Sequence, residues 1–389
     1  MKSNHRNNFP RRALGRFALL SVSLVAGTAI TAAAQDKNDA GTKPGGSGKK
    51  PADFLTKGEA PAAGGFLNGW SLAPSVGLNI RTTFKSLGGF TTQTAVGAAI
   101  GGVDHNYDDG FNRVDSRAIP DGLTRNWGFS NASQTPGDGT VLRMNSSSSA
   151  ADLTSQSGSD YKPGLEVRYR RQIGVLENLR WGIEGVFSWH DLSAEESHSL
   201  AGTVTRITDT YSLNGFPAAV PFTGNAVDPG PLISDIPART SAVIPGGAVV
   251  TGQSKLDAAL FAIKLGPQVE WRPSPASRWG LTLNAGLAAA IVNSEFTFSE
   301  SVTIPSMGPG LQPGVSATQT RAGSGSTAEV LLGGYAGLSA SYKFTDRLSL
   351  IGAGQYQNLG TFSQTVAGKK AEIELGNTIL LSLGLRYSF

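Results

Sequence analysis

Residues 373–389 read IELGNTILLSLGLRYSF, and a two-residue period is clearer here than anywhere else in the chain. Odd-numbered positions are apolar except for Asn377, whereas even-numbered positions are polar or Gly except for Leu380. Because successive side chains of a β-strand point to opposite faces, this pattern predicts a strand with one apolar and one polar face.

Seven earlier segments alternate in the same way. They are residues 70–84, 165–169, 181–189, 261–271, 281–291, 332–344 and 348–356. After residue 34 no run of 18 apolar residues occurs, so the sequence predicts no transmembrane helix. Gly contributes 50 of the 389 residues, which favours turn-rich β structure. The predicted fold class is therefore all-β.

The links between these segments alternate in length. Short links occupy 174–178, 273–278 and 345–347, and between them lie long polar links, 88–158, 199–252 and 300–326, together with a short one near Gly368. Short turns on one side and long loops on the other are typical of outer-membrane barrels with an even strand number. We therefore expect residues 66–389 to form an antiparallel transmembrane up-and-down β-barrel of about eight strands with long extracellular loops.

Two alternatives stay open. Ten or twelve strands would result if the link 88–158 contained a further pair, near residues 90–103 and 139–145. A soluble β-sandwich would also alternate, but it gives no reason for ordered loop lengths.

The amino terminus predicts export. Residues 1–34 combine five Lys or Arg residues, an apolar stretch over 17–30 and the small residues Ala32-Ala33-Ala34, as a cleavable signal peptide does. Residues 35–65 are rich in Gly, Pro, Ser and Lys, which predicts a flexible periplasmic linker. Cleavage after Ala34 leaves 33 − 5 = 28 basic against 29 acidic residues, so the charge of the mature chain argues against nucleic-acid binding.

The last nine residues, 381–389, resemble the terminal strand of bacterial outer-membrane β-barrels. The resemblance implies the outer membrane of a Gram-negative-type bacterium, contact with its lipid, and recognition of Leu385, Tyr387 and Phe389 by the barrel assembly machinery. The strand count resembles that of OmpA-type and OmpX-type small barrels. The segments 107–111 and 126–134 resemble uncharacterised verrucomicrobial barrel proteins, which implies no activity.

Charged residues on the polar faces are expected to point into the barrel. They are Arg81, Glu166, Arg168, Arg170, Glu184, Lys264, Glu270, Glu374 and Arg386. An eight-stranded barrel has room only for side chains inside, so these charges should pair and close the lumen. With more strands they would line a passive porin-like channel for small hydrophilic solutes.

One loop cluster has the donor spacing of a calcium loop. Asp104, Asn106, Asp108 and Asp115 occupy positions 1, 3, 5 and 12 of an EF-hand-like pattern. Asp109 stands where that loop requires Gly, which favours a solvated acidic turn over a metal site.

A second cluster contains His190, Asp191, Glu195, Glu196 and His198 at the outer end of a predicted strand. A hydrolytic site at the barrel rim is the alternative to a polar strand extension, yet no G-x-S-x-G or H-E-x-x-H motif accompanies it. With no Cys in the chain, thiolate chemistry and disulfides are excluded. The predicted role is non-enzymatic and without cofactor: structural, or contact with an extracellular ligand through loops 88–158 and 199–252.

Overall fold

The computed structural model describes residues 68–91, 104–113, 122–157, 161–224, 231–305 and 317–389. The predicted signal peptide, the whole of the predicted linker 35–65 and Asp115 lie outside these residues. The described residues contain β-strands and one short 3-10 helix at Ala132–Gln134, with no α-helix among them, which confirms the all-β prediction. No helix in this part of the chain is long and apolar enough to cross a membrane.

The strands follow one another along the chain as follows. They are β1 (Asn68–Leu78), β2 (Arg81–Leu87), β3 (Phe90–Thr91), β4 (His105–Asn106), β5 (Gly110–Asn112), β6 (Leu123–Thr124), β7 (Trp127–Phe129), β8 (Val141–Ser149), β9 (Leu153–Ser157), β10 (Lys162–Leu176), β11 (Leu179–Asp191), β12 (Ala194–Ser212), β13 (Phe222–Thr223), β14 (Ile233–Ser234), β15 (Ala238–Trp271), β16 (Trp279–Ile304), β17 (Ala317–Lys343), β18 (Leu348–Asn358), β19 (Thr361–Val366), β20 (Lys369–Glu374) and β21 (Thr378–Ser388).

Eight of these strands pair in a ring, which we call the eight-strand ring. Its members, in order, are β1, β10, β11, β15, β16, β17, β18 and β21. Each is antiparallel to two neighbours; β21 pairs with β1, and β11 pairs with β15. Every one of the eight segments predicted from alternation overlaps a strand of this ring.

One end of the ring, the turn end, carries the short connections. Residues 177–178 join β10 to β11, 272–278 join β15 to β16, and 344–347 join β17 to β18. The described chain also starts and finishes here, since the Asn68 backbone N–H donates to the Phe389 carbonyl over 3.2 Å.

Beyond the other end the chain continues mainly as strands, which together form the extension. On one side lie the outer parts of β15, β16 and β17 with β12, β8 and β3; on the other lies a separate sheet in the order β19-β20-β2-β9. The prediction that 199–252 and 300–326 are loops is therefore wrong for most of their described residues. Their small polar residues hid the strands, because ladder pairing needs only backbone groups and not an apolar face.

Of the further strand pair that the sequence allowed near residues 90–103 and 139–145, residues 92–103 lie outside the described part of the chain. Phe90 of β3 lies opposite Ser149 of β8, so a pair does form within the predicted link 88–158. However, β8 pairs with β12 and extends the sheet at that edge, and neither strand enters the ring.

The two sheets of the extension enclose an apolar core. Phe84 of β2 stacks on Phe296 of β16 with ring centroids 5.8 Å apart, and both side chains are fully buried. Phe362 and Ile373 of the smaller sheet are equally buried in the same cluster. This core lies directly beyond the interior of the ring.

Two predicted strands are divided at the boundary between ring and extension. Asn79, with φ 60°, separates β1 from β2, and residues 375–377 separate β20 from β21. The face that is buried changes at each break. Arg81 and Glu374, predicted to point into the barrel, therefore lie opposite each other in the smaller sheet with exposed side chains.

Candidate functional site

The outer face of the eight-strand ring is covered by exposed apolar side chains, which we call the apolar belt. Its larger members are Leu72, Leu165, Ile183, Phe187, Trp189, Phe261, Ile263, Leu265, Leu281, Leu283, Leu287, Ile291, Val330, Leu332, Leu338, Leu350, Ile379, Leu381, Leu383 and Leu385. Residues of this kind are normally buried, and a contiguous exposed patch of this extent marks an interaction surface.

The belt ends at the same level on neighbouring strands. On the outer face of β15, apolar residues reach Phe261, and Asp257 follows four residues earlier in the chain. Phe261 lies directly opposite Ile291 of β16, and Asp257 lies directly opposite Glu295. The change from apolar to charged therefore follows the register of the sheet.

Aromatic side chains mark the turn end of the belt, and we call them the aromatic girdle. They are Trp70, Tyr169, Trp271, Trp279, Tyr342, Phe344, Tyr387 and Phe389. Several contact each other across strands: ring centroids are 4.7 Å apart in Trp70–Tyr169 and 4.9 Å apart in Trp279–Tyr342. Leu385, Tyr387 and Phe389, the predicted assembly residues, are exposed on this outer face.

The interior of the ring is polar and charged. Of the nine charges predicted to point inward, the structure places seven inside the ring: Glu166, Arg168, Arg170, Glu184, Lys264, Glu270 and Arg386. Arg81 and Glu374 are the two that lie in the extension instead.

Two carboxylates organise the middle of this interior. Arg168 Nη1 lies 3.5 Å and Arg170 Nε 3.4 Å from the carboxylate oxygens of Glu184, and Asn284 Nδ2 donates to the same carboxylate over 2.6 Å. Glu166 accepts from Arg168 Nε, with Lys264 Nζ 4.0 Å away. Opposite charges from different strands thus fill the space and compensate one another.

Uncharged polar residues complete this network, and sequence reasoning did not single them out. Lys264 donates to Gln355, Arg170 donates to Gln268, and Asn284 contacts Glu184. Gln355, Gln268 and Asn284 all stand at positions where the alternation of their strands places polar residues, which is the only indication that the sequence offers.

The histidine cluster at the strand end does not converge on one site. His190 is fully buried inside the ring, and its Nε2 lies 3.1 Å from Ser75 Oγ. His198 is buried separately in the extension, while Glu195 accepts a hydrogen bond from Gln253 on the surface. Ser75 is also buried, so this Ser–His pair is enclosed and has no approach for a large substrate.

The proposed calcium loop is arranged around a guanidinium. Arg113 Nη1 lies 3.4 Å from Asp104 Oδ2, and its Nη2 donates to Asn106 Oδ1 over 3.1 Å. Among the described residues no group of three His, Cys, Asp or Glu side chains is placed to hold a metal ion.

The acidic turn itself is only partly solvated, because Asp104, Asn106 and Asp108 are half-buried and Asp109 is buried. Asp109 is 4% exposed and accepts from the backbone N–H and Nδ2 of Asn145, both over 2.8 Å. Burial, with the nearby charge of Asp109 adding to it, raises the pKa of Asp108 to about 6, although a hydrogen bond from Ser147 opposes that rise.

Comparisons with known proteins identify no family. No family model matches the chain, and no curated protein matches it. Among solved structures, Ail of Yersinia pestis in complex with the heparin analogue sucrose octasulfate is 9% identical, with 83% of this chain and 99% of that chain covered and a TM-score of 0.24. The outer membrane protease OmpT from Escherichia coli is 10% identical, with 84% and 97% covered and a TM-score of 0.27. Likeness at this level carries no inference about the chain.

Proposed function

We propose that this chain is an integral outer-membrane β-barrel, in which the eight-strand ring spans the bilayer around a closed interior and the extension contacts partners outside the cell. The inverted polarity of the ring carries the proposal: apolar side chains cover its outside, and ion pairs fill its inside. A soluble β-sandwich buries its apolar faces, as the extension does. In lipid, apolar side chains are favoured on the outside of a barrel instead. A closed ring of strands also gives every backbone N–H and C=O group a hydrogen-bond partner.

The height of the apolar belt matches that of the apolar band by which outer-membrane barrels span the bilayer. Phe261 and Trp271 lie ten residues apart on β15, which is roughly 33 Å along an extended strand. At a strand tilt of about 40° this corresponds to about 25 Å, the height of the apolar band in outer-membrane barrels. The aromatic girdle then lies at one bilayer interface.

The turn end faces the periplasm in this proposal. Outer-membrane barrels have short periplasmic turns and longer extracellular segments, and the short links of this chain lie together at one end. The exposed apolar face of β21, with Leu385, Tyr387 and Phe389, is the surface offered to the barrel assembly machinery.

The interior supports a closed barrel rather than a channel. The network around Glu166 and Glu184 fills the middle of the ring, and the apolar core around Phe84 and Phe296 covers the side next to the extension. Ions would have to cross both layers.

The extension supports a surface-contact role. Its outer face carries charges of both signs, such as Lys255 and Asp257, and its strands are held by buried apolar cores. A rigid, solvated platform of this kind suits protein or ligand contact. The one Ser–His pair described above is enclosed inside the ring, and we propose a non-enzymatic role.

Single-channel recording tests the closed barrel. The mature chain 35–389 would be refolded in detergent, checked for a heat-modifiable gel shift, and inserted into a planar bilayer. We expect inserted protein without conductance steps. Steady ohmic steps would overturn the closed interior and favour the porin-like alternative.

A further inference from the structure

The ring interior is not electrically neutral at its turn end. A cavity of about 40 Å³ opens there, lined by five cationic side chains: Arg170, Arg180, Arg272, Lys343 and Arg386. Only two carboxylates, Glu270 and Asp346, line the same cavity. We call this space the turn-end cavity.

The acidic groups present do not satisfy these cations. Glu270 Oε1 accepts from Arg272 Nη2 over 2.8 Å and lies 3.9 Å from Arg386 Nη1, so one carboxylate serves two guanidinium groups. Asp346 is exposed at the rim. The structure shows no ion pair for the side chains of Arg180 or Lys343 among the described residues.

Buried donor atoms are also left without acceptors. Nη2 of Arg170, Nε of Arg272 and Nε of Arg386 have no hydrogen-bond partner, although these residues are at most 6% exposed. Holding unpaired cations away from water is costly, so a site of this kind favours the entry of an anion.

The geometry points to a phosphate-type oxyanion: we propose that the turn-end cavity binds one phosphate group. Guanidinium groups donate two parallel hydrogen bonds, which match the oxygens of a phosphate. The cavity has space for about three water molecules or for one small tetrahedral anion. The excess of positive charge in the turn-end cavity, whose walls have a low dielectric constant, also raises the local concentration of anions.

The phosphate could come from solution or from a lipid headgroup. Trp181 lines the cavity and is also exposed on the outer face of the ring, so the site adjoins the aromatic girdle. The lipid source rests on the proposed membrane location, whereas the phosphate site itself rests only on the ring and its charges.

Calorimetric titration with inorganic phosphate tests the site. The refolded mature chain would be held in a maltoside detergent, which contains no phosphate, at constant ionic strength. We expect saturable binding of one phosphate. The double variant Arg180→Gln/Lys343→Gln, which changes half-buried residues outside the central network, should bind about tenfold more weakly, as expected from losing one charge-assisted hydrogen bond.

The matched control is Arg278→Gln/Arg347→Gln. It also removes two positive charges from the turn end, but from exposed residues that do not line the cavity. It should bind phosphate like the wild type. Absence of saturable binding to folded protein, or equal loss in both double variants, would overturn the proposal.

A second titration separates the two sources. Monomeric dihexanoyl phosphatidylglycerol should bind more tightly than inorganic phosphate if the natural ligand is a headgroup, and no more tightly if it is free phosphate. Either result follows saturable phosphate binding and supports the site. Because conductance is not involved, this experiment can fail while the closed barrel stands.

Discussion

Phe261 of β15 lies directly opposite Ile291 of β16, and both side chains project from the outer face of the ring. Four residues away on the same strands and the same face, Asp257 lies opposite Glu295. A boundary that two strands share in register indicates a change of solvent at that level. The predictions below test the surfaces on either side of it and the interior that they surround.

A charged substitution should lower stability much more in the apolar belt than on the same face of the extension. Leu265 is 62% exposed near the middle of the belt, so Leu265→Arg should destabilise the protein in lipid vesicles by about 2–4 kcal/mol. Thr251→Arg is the control, because Thr251 is exposed on the same face of β15 within the extension. Urea titration of vesicle-bound protein measures both variants. Equal effects would argue against lipid contact at Leu265.

The interior should depend on paired charge. Glu184→Gln removes the carboxylate shared by Arg168 and Arg170 and leaves two buried cations without it. We expect a loss of about 3–5 kcal/mol in unfolding free energy. Glu295→Gln changes an exposed carboxylate and should have little effect. A loss below about 1 kcal/mol for Glu184→Gln, the range of surface pairs, would mean that water reaches the network.

The apolar core should hold the extension without holding the ring. Phe84→Ala removes a fully buried ring that stacks on Phe296, at a cost of about 3–5 kcal/mol. Hydrogen exchange should accelerate in β2, β19 and β20 while ring strands stay protected. Thr83→Ala, on the other face of β2, is the control. Loss of protection throughout the ring would contradict separate packing of the two parts.

The loop around Asp108 should gain stability as pH falls. Burial raises the pKa of Asp108 from 3.8 to about 6, so the folded loop binds more protons than the unfolded chain between these values. The stabilisation of the folded loop that comes from protonating Asp108 is complete below pH 4 and is lost as the pH rises through about 6. Asp108→Asn should therefore increase exchange protection of β5 and β8 at pH 7.5, with a smaller gain at pH 5.

Asp138→Asn is the control for this pH dependence. Hydrogen bonds from the hydroxyl and backbone N–H of Thr140 lower the pKa of Asp138, which is exposed, so its removal should bring no gain at pH 7.5. A pH-independent effect of Asp108→Asn would show that the carboxyl is solvated.

The ring was predictable because its alternation is amphipathic. Segments such as 261–271 alternate between apolar residues on the outer face and polar residues in the interior, and that contrast is visible in one sequence. Asp257 and Glu295 could not be recognised as strand residues in the same way. Beyond the belt the outer face is polar and many positions are Ser, Thr or Gly, so the period of two carries no contrast.

The candidate site was predictable only in its charged members. Glu166, Arg168 and Glu184 stand at the polar positions of clearly alternating segments, and the structure brings them together. Arg81 and Glu374 fall in the same phase of their segments, but the breaks at Asn79 and at 375–377 reverse which face is buried. The excess of cations at the turn end could not be predicted from the sequence, because Arg180 lies on β11 and Lys343 on β17, two strands that do not pair with each other.

Spin-label accessibility along β15 tests the central claim, that the ring spans a bilayer, most directly. The chain has no Cys, so single cysteines at positions 251, 253, 257, 261, 263, 265 and 269 each carry one label without further changes. In lipid vesicles we predict high collision rates with oxygen and low rates with a polar nickel complex from 261 to 269, reversing at 257, 253 and 251. Equal access of the nickel complex at all seven positions would contradict a membrane-spanning ring.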